Sequence, residues 1–88
     1  MIDDIKQTIL DALPDATVYV ADPNQDGEHF EAIVISKHFE TLPLVRQHQC
    51  VMKALKEKFE TSVHALALKT FTPEKWKKEK PSFFQLPD

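Results

Sequence analysis

The stretch that decides the fold of this chain is Val63-His64-Ala65-Leu66-Ala67-Leu68-Lys69-Thr70-Phe71-Thr72-Pro73-Glu74-Lys75-Trp76. Its first half is rich in apolar residues and predicts a β-strand over residues 62–69. The run Thr72-Pro73-Glu74 then predicts the start of a helix. Threonine suits the N-cap, proline the first helical position and glutamate the positive end of the helix dipole. Pro81 ends this short helix, because proline lacks the backbone N–H that a helix interior needs.

A longer helix precedes this strand. The spacing of its apolar residues predicts a helix over roughly residues 43–60, with Pro43 near the first turn. The apolar positions are Leu44, Val45, Val51, Met52, Leu55 and Phe59, and His48 fills the gap between them. A right-handed crossover through this helix would set the strand at 62–69 parallel to the strand before the helix.

The first part of the chain predicts a helix and a hairpin. Apolar residues at spacings of three and four define one helix face over residues 2–13. They are Ile2, Ile5, Ile9 and Leu13. Residues 17–20 and 29–35 predict antiparallel strands, joined by the turn-rich run 22–27. The element order is therefore α-β-β-α-β-α, which indicates an α/β domain of the α+β type.

Length and composition limit the class of protein. The chain has 88 residues, so we expect a single domain over residues 1–88. Residues 81–88 form a tail that either packs its phenylalanine rings on this domain or frays. One cysteine excludes an intrachain disulfide framework and a cysteine-based zinc module. A lone thiol fits a reducing compartment, so we expect a cytoplasmic protein. No unbroken apolar run exceeds four residues, so we expect no membrane span.

Charge is unevenly distributed along the chain. Residues 1–35 contain eight acidic residues and one lysine, whereas residues 36–88 contain ten basic and six acidic residues. The formal net charge is −3. This distribution argues against a uniformly basic nucleic-acid binder, but one basic face remains compatible with the sequence.

The residues quoted above resemble the C-terminal signature of BolA-like proteins, in which a strand with a His-Ala-Leu core leads through a Thr-Pro turn into a helix with a tryptophan. Residues 27–36 are similar to the second strand of that family, and residues 44–49 to the start of its main helix. The resemblance extends over roughly residues 2–78. This chain departs from the family at Thr41, where a glycine is common, and at Met52, where a tyrosine is common. Gln47-His48-Gln49 also replaces the common Arg-His-Arg.

The resemblance implies both a fold and a function. The fold would be similar to a type II KH domain, with a three-stranded mixed sheet covered by helices. BolA-like proteins pair with monothiol glutaredoxins and share a [2Fe-2S] cluster with them, and some bacterial members are DNA-binding transcriptional regulators. The resemblance therefore implies an adaptor in iron–sulfur cluster handling and iron regulation, with DNA binding as the alternative. The cluster would be shared with the partner and glutathione, and the isolated chain would hold none.

His64 is the first candidate ligand of such a cluster. Imidazole can replace thiolate on the iron of a [2Fe-2S] centre. Strand alternation places His64 on the same face as Leu66 and Leu68, so the imidazole lies on an otherwise aliphatic face. The alternative is a half-buried structural histidine bonded to a backbone carbonyl.

His29 is the second candidate ligand. It stands where the acidic loop enters the second strand, at the position where the family carries a histidine or a cysteine. The resemblance therefore implies the histidine subgroup. The partner's active-site thiolate and a glutathione sulfur would complete the ligand set. The alternative is an exposed loop histidine without a metal role.

The other histidines and the cysteine have structural interpretations. We expect His48 to be a buried, hydrogen-bonded histidine of the main helix, and His38 to be solvated. Cys50 lies two residues from His48, which is about 200° around a helix, so the two cannot chelate one ion. We therefore expect Cys50 to be a small, partly buried side chain, with a reactive thiol as the weaker alternative.

Lysines cluster around the end of the third strand and the last helix. The candidates for binding a partner or DNA are Lys69, Lys75, Lys77 and Lys78. Such a patch could steer an acidic protein surface or contact phosphates, and the alternative is a solvated face. RNA binding in the KH manner needs a Gly-x-x-Gly loop. Gly27 is the only glycine of the sequence, so the chain cannot form that loop and this mode of RNA binding is disfavoured.

No enzyme motif is present. The sequence has no nucleophile elbow, no glycine-rich phosphate loop and no His-Glu-x-x-His zinc helix. We therefore expect a non-enzymatic protein. We also expect the chain to be a monomer or a weak homodimer when it is alone. We expect Trp76 and the phenylalanines to form part of the core and its cover.

Overall fold

The computed structural model describes residues 2–27, 29–56 and 65–79 of the chain. Its elements are the helices α1 (Ile2–Ala12), α2 (Leu44–Ala54) and α3 (Pro73–Glu79), the strands β1 (Thr17–Ala21), β2 (His29–Ile35) and β3 (Ala65–Phe71), and a 3-10 helix at Lys37–Thr41. The predicted order α-β-β-α-β-α is confirmed. The 3-10 helix was not predicted, and it occupies the connector before α2.

The three strands form one mixed sheet in the order β1-β2-β3. β1 and β2 are antiparallel, with Val18 opposite Val34. β2 and β3 are parallel, and their register runs from His29 opposite Ala65 to Ile35 opposite Phe71. The predicted hairpin and the predicted parallel third strand are both confirmed. β3 ends at Phe71, two residues later than the predicted 69, and residues 62–64 of the predicted strand lie outside the described residues.

The main core lies between α1, α2 and one face of the sheet. Its buried members are Ile5, Ile9, Leu13, Val18, Phe30, Val34, Phe39, Val51 and Leu55. Three of the four predicted residues of the α1 face are among them, whereas Ile2 is 37% exposed. Leu66 and Leu68 of β3 pack against the same cluster. Burying one such side chain contributes about 1.5–3 kcal/mol, so this cluster supplies most of the driving force for folding.

A second, smaller core covers the opposite face of the sheet. Ile33, Ile35 and Phe71 form its buried part, and Trp76 of α3 packs over them. The Trp76 ring stacks on Tyr19 with centroids 5.9 Å apart and meets Phe71 edge-on at 5.2 Å. Such aromatic pairs contribute roughly 0.5–1.5 kcal/mol each beyond their buried area. The prediction that Trp76 belongs to the core is confirmed.

The start of α3 follows the prediction. The Thr72 hydroxyl accepts a hydrogen bond from the Lys75 backbone N–H at 3.2 Å, so Thr72 caps the helix. Pro73 is the first helical residue, where its missing N–H has no cost.

The buried face of α2 differs from the predicted one. α2 ends at Ala54, Leu55 is a turn residue and Lys56 is again helical, and residues 57–60 of the predicted helix lie outside the described residues. Gln47, Val51 and the C-cap residue Leu55 face the core. Leu44 and Val45 are 59% and 63% exposed, although they belong to the apolar pattern. The reason is that the Gln47 side chain makes hydrogen bonds with the carbonyl groups of Phe39 and Leu42 and with the Thr70 hydroxyl. A polar residue therefore occupies a core position, and the buried face of α2 is not the face that the apolar residues predict.

Asp15 and Ser36 tie the loop after α1 to the start of the 3-10 helix. The buried Ser36 hydroxyl donates to Asp15 Oδ2 at 2.8 Å, and the Lys37 backbone N–H donates to the same oxygen at 3.1 Å. The Ser36 hydroxyl also accepts from the His38 backbone N–H at 3.0 Å and caps the 3-10 helix. The hydrogen bond from Ser36 is the main cause that lowers the pKa of Asp15.

We expect Asp15→Asn to lower the free energy of unfolding by about 0.5–1 kcal/mol at neutral pH, a modest effect because solvent screens this exposed carboxylate. A pKa lowered in the folded state means that the ionised carboxylate stabilises the fold above its unfolded pKa of about 3.9. That stabilisation is lost as the pH falls through the lowered folded pKa. Urea unfolding of both proteins between about pH 7 and about pH 2.5 measures the difference. A difference that does not shrink at acidic pH contradicts the assignment.

Candidate functional site

His29 stands at the exposed beginning of β2, after the loop of residues 22–27. Its side chain is 53% exposed. The next residue, Phe30, points into the main core, so strand alternation turns His29 toward the opposite face of the sheet. The strand thus anchors a solvent-accessible imidazole on the rigid part of the fold.

Two residues of the loop shape the backbone before His29. The Asp22 carboxylate accepts hydrogen bonds from the backbone N–H groups of Asp26 and Gly27 at 3.3 and 2.9 Å. Gly27 has φ +70, in the left-handed region that glycine adopts without steric cost. The only glycine of the chain therefore serves the turn that leads into the candidate ligand.

Asp26 holds His29 through both of its carboxylate oxygens. Oδ1 accepts the His29 backbone N–H at 3.1 Å, and Oδ2 lies 2.8 Å from the ring Nδ1. When the imidazole is neutral, a carboxylate at Nδ1 favours the tautomer that carries its proton there and has its lone pair on Nε2. Metal-ligating histidines are commonly oriented in this way by a carboxylate. The chemistry of this pair therefore fits a ligand that binds iron through Nε2.

Asp26 was not among the predicted site residues. Its signal was an aspartate three residues before a histidine within a turn-rich run, a spacing at which an aspartate side chain accepts hydrogen bonds from backbone N–H groups that follow it.

His64 lies outside the described residues. The residue that follows it, Ala65, is the first residue of β3 and pairs with His29 across the parallel ladder. The prediction that His64 shares a face with Leu66 and Leu68 stays a prediction.

The other histidines do not join His29. His38 is exposed, as predicted, and Cys50 is partly buried, as predicted. The prediction that His48 is buried and hydrogen-bonded is wrong: it is half-buried and makes no side-chain hydrogen bond with the described residues. It lines a groove between α2 and β3, because the rotation of α2 turns it away from the core. Across residues 2–27, 29–56 and 65–79, no three His, Cys, Asp or Glu side chains are placed to hold a metal ion together.

The four candidate lysines do not form one cluster. Lys69 and Lys75 line the same groove as His48, whereas Lys77 lines a separate groove with Tyr19 and Trp76. Lys75 and Lys78 lie 3.9 and 3.5 Å from glutamates one turn away on α3. Exposed pairs of this kind are worth little in stability, but they offset part of the positive charge.

No helix in the described part of the chain has the length and apolar character needed to cross a membrane.

Comparison with known proteins agrees with this geometry. The family model "BolA-like protein" matches residues 6–75. A BolA homologue from Coxiella burnetii has a structure that superposes with a TM-score of 0.75 at 36% identity, covering 88% of this chain and 96% of that one. An uncharacterized protein of Haemophilus influenzae is 39% identical over 77 residues, which are 86% of this chain and 87% of that protein.

A second relative from Haemophilus influenzae carries a functional name. The DNA-binding transcriptional regulator BolA is 43% identical over 49 residues, which are 56% of this chain and 48% of the regulator. The match therefore spans about half the length of that protein. The family match covers most of the present chain, and the solved relative has the same α+β fold. The chain therefore belongs to the BolA-like protein family.

Proposed function

We propose that this chain is a non-enzymatic adaptor that pairs with a monothiol glutaredoxin and offers His29 and His64 to a shared [2Fe-2S] cluster. The observation that carries the proposal is that the Asp26 carboxylate contacts both the backbone N–H and the ring Nδ1 of His29 at hydrogen-bond distance. An exposed imidazole that is oriented in this way suits a ligand for iron presented from outside the domain.

The register of the sheet supports a common site for the two histidines. His29 pairs with Ala65 on the neighbouring strand, and neighbouring strands lie about 4.8 Å apart. His64 is bonded to Ala65, and consecutive Cα atoms are about 3.8 Å apart. The described register therefore supports a common site at the beginning of β2 and β3, where the proposal requires the His64 ring to turn away from the Leu66 and Leu68 face that strand alternation predicts for it.

The division of ligands follows from their chemistry. Two imidazoles can serve one iron of a [2Fe-2S] centre while two thiolates serve the other. In the proposed complex the glutaredoxin thiolate and glutathione supply the sulfur ligands. The cluster supplies iron and sulfide, and this chain supplies neutral nitrogen ligands, their orientation and a docking face.

Reconstitution tests this proposal. The chain is mixed with a monothiol glutaredoxin, glutathione, ferrous iron and sulfide, and visible absorption and circular dichroism are recorded. We expect a spectrum distinct from that of the glutaredoxin alone, which His64→Ala abolishes and His38→Ala leaves intact. A mixture spectrum equal to that of the glutaredoxin alone, or one that survives His64→Ala, contradicts the proposal.

We expect Asp26→Asn to weaken cluster retention about 10–100-fold, the usual cost of removing a group that orients a ligand. An asparagine amide can donate to Nδ1 and so favour the tautomer with its proton on Nε2, the ligating atom. Cluster loss to a chelator gives the affinity, and imidazole ¹⁵N shifts of the isolated chain give the tautomer of His29. Asp11→Asn, which removes the same charge from exposed α1, is the control. An unchanged tautomer and unchanged retention in Asp26→Asn would remove the role assigned to Asp26.

DNA binding is the second candidate function. It is supported by the name of the 43% identical regulator and by the exposed lysines of α3. The test is fluorescence anisotropy with a labelled DNA duplex over a range of salt concentrations. On this candidate, replacing Lys75, Lys77 and Lys78 by glutamine weakens binding and reduces the salt slope by about 1 for each lost phosphate contact. Unchanged affinity and slope in the triple variant reject it.

A further inference from the structure

A groove of about 310 Å³ runs beside β3, away from the candidate cluster site. Leu44 and His48 of α2 form one wall, and Lys75 and Glu79 of α3 form the other. Residues 68–71 of β3 form the floor. This groove, the edge groove, lies at least three strand residues from Ala65, or about 10 Å along β3.

In the part of the chain that the structure describes, the floor of the edge groove is the outer backbone edge of the sheet. Successive strand residues point to opposite faces, so four consecutive lining residues mean that the groove follows the edge of β3 and not one of its faces. Within the described residues, β3 is the last strand of the sheet and pairs only with β2. An edge of this kind can accept an added strand through main-chain hydrogen bonds.

Exposed apolar side chains continue the wall along α2. Leu44, Val45 and Met52 are 59%, 63% and 37% exposed, and helical geometry places them within about 100° of one another on the same side as His48. Leu68 is partly exposed on the floor. A contiguous apolar surface beside an open strand edge favours a protein ligand, because a nucleic-acid backbone would place charged phosphates against it.

Two of the three described charged residues that line the edge groove are basic. Lys69 and Lys75 line the groove itself, and Glu79 is the acidic lining residue, 3.9 Å from Lys75. This charge distribution complements a partner segment that carries carboxylates.

We propose that the edge groove binds an extended, acidic segment of a partner protein, which adds a strand to β3. Alternate side chains of that segment are apolar and pack against Leu44 and Leu68, and its carboxylates face the basic rim. The inference goes beyond the proposed function, because it involves neither candidate iron ligand.

Peptide selection tests the inference without iron, glutaredoxin or either candidate ligand, so its outcome is independent of the cluster proposal. The probe is a displayed library of random peptides of about ten residues, long enough for a strand of five or six. We expect the enriched sequences to combine apolar residues in alternation with aspartate and glutamate. A synthetic peptide of the enriched sequence is then titrated against the ¹⁵N-labelled chain. We expect the largest amide shifts at residues 68–71 and weaker binding at higher salt.

Variants localise the binding. We expect Leu44→Glu, at the exposed first residue of α2, to raise the Kd of the peptide at least about tenfold while the melting temperature is retained. Lys77→Glu, in the separate groove with Tyr19 and Trp76, should leave the Kd unchanged. Three results overturn the proposal: no enrichment, enriched basic sequences, or wild-type affinity in Leu44→Glu. A homodimer that Leu44→Glu dissociates, or binding of single-stranded DNA to the same residues in place of peptide, also overturns it.

Discussion

Phe39→Ala is expected to lower the free energy of unfolding by about 3–5 kcal/mol. Phe39 is fully buried and belongs to the main core, although it lies in a short 3-10 helix between two larger elements. Its removal leaves a cavity that the surrounding α1, α2 and β2 cannot fill completely. Small domains rarely have more than a few kcal/mol of stability, so a large fraction of this variant is expected to be unfolded at room temperature.

Thermal and urea unfolding measure this effect. In a domain of this size, 1 kcal/mol corresponds to roughly 4–8 °C, so the melting temperature should fall by about 12 °C or more. Phe39→Leu should recover most of the stability because it fills most of the space. His38→Ala, at the exposed neighbouring position, should change stability by less than about 0.5 kcal/mol. A loss below about 1 kcal/mol in Phe39→Ala contradicts the assigned core position.

Gln47→Ala is expected to cost about 2–4 kcal/mol, because it leaves several buried polar groups without partners. Gln47 Nε2 donates to the carbonyl oxygens of Phe39 at 3.2 Å and Leu42 at 2.9 Å. Its Oε1 accepts the Thr70 hydroxyl at 2.8 Å. One side chain therefore joins the 3-10 helix, α2 and β3, and it also fixes α2 relative to the floor of the edge groove.

A double-mutant cycle measures the strength of the bond between Gln47 and Thr70. Thr70→Val removes the hydroxyl and keeps the shape, and we expect a coupling of about 0.5–3 kcal/mol with Gln47→Ala. Gln49→Ala changes the same residue type at an exposed position of α2, so it should be close to neutral. Equal effects of Gln47→Ala and Gln49→Ala would show that the buried network does not stabilise the fold.

The elements that local physical chemistry determines could be predicted from the sequence. The three-and-four spacing of isoleucines defined α1, and the bounds of β2 followed from its continuous run of branched and aromatic residues. The Thr72-Pro73 cap defined the start of α3. In each case the signal lies within the element itself, so no tertiary information was needed.

The orientation of α2 depends on tertiary contacts. A glutamine at a core position gives no hydrophobic signal, and its partners are the carbonyl groups of a connector and a threonine 23 residues away. Sequence patterning therefore assigned Leu44 and Val45 to the apolar face and expected His48 to be buried. The same tertiary contact explains why the 3-10 helix was missed, because its buried Phe39 and the Ser36 cap are recognisable only in the fold.

The candidate site was predicted in part. His29 is at the predicted strand entry, and its exposure and the Asp26 contact emerged only from the loop geometry. The role of His64 stays a prediction. The lysines that appear as one patch in sequence are divided among three grooves, with Lys69 and Lys75 in one, Lys77 in another, and Lys75 and Lys78 in a third. Strand alternation and helix rotation separate residues that are close in the chain.

The most direct test of the account is whether imidazole nitrogens of this chain bind the shared cluster. The measurement is pulsed electron paramagnetic resonance of the reduced complex, formed from the chain with ¹⁵N-labelled histidine and an unlabelled glutaredoxin. We expect hyperfine couplings from two ¹⁵N nuclei in the unmodified chain and in His38→Ala, and from one in His29→Ala. His64→Ala, which abolishes the shared cluster, should show neither coupling. A reduced cluster without ¹⁵N coupling, or with couplings that both variants retain, would contradict the account.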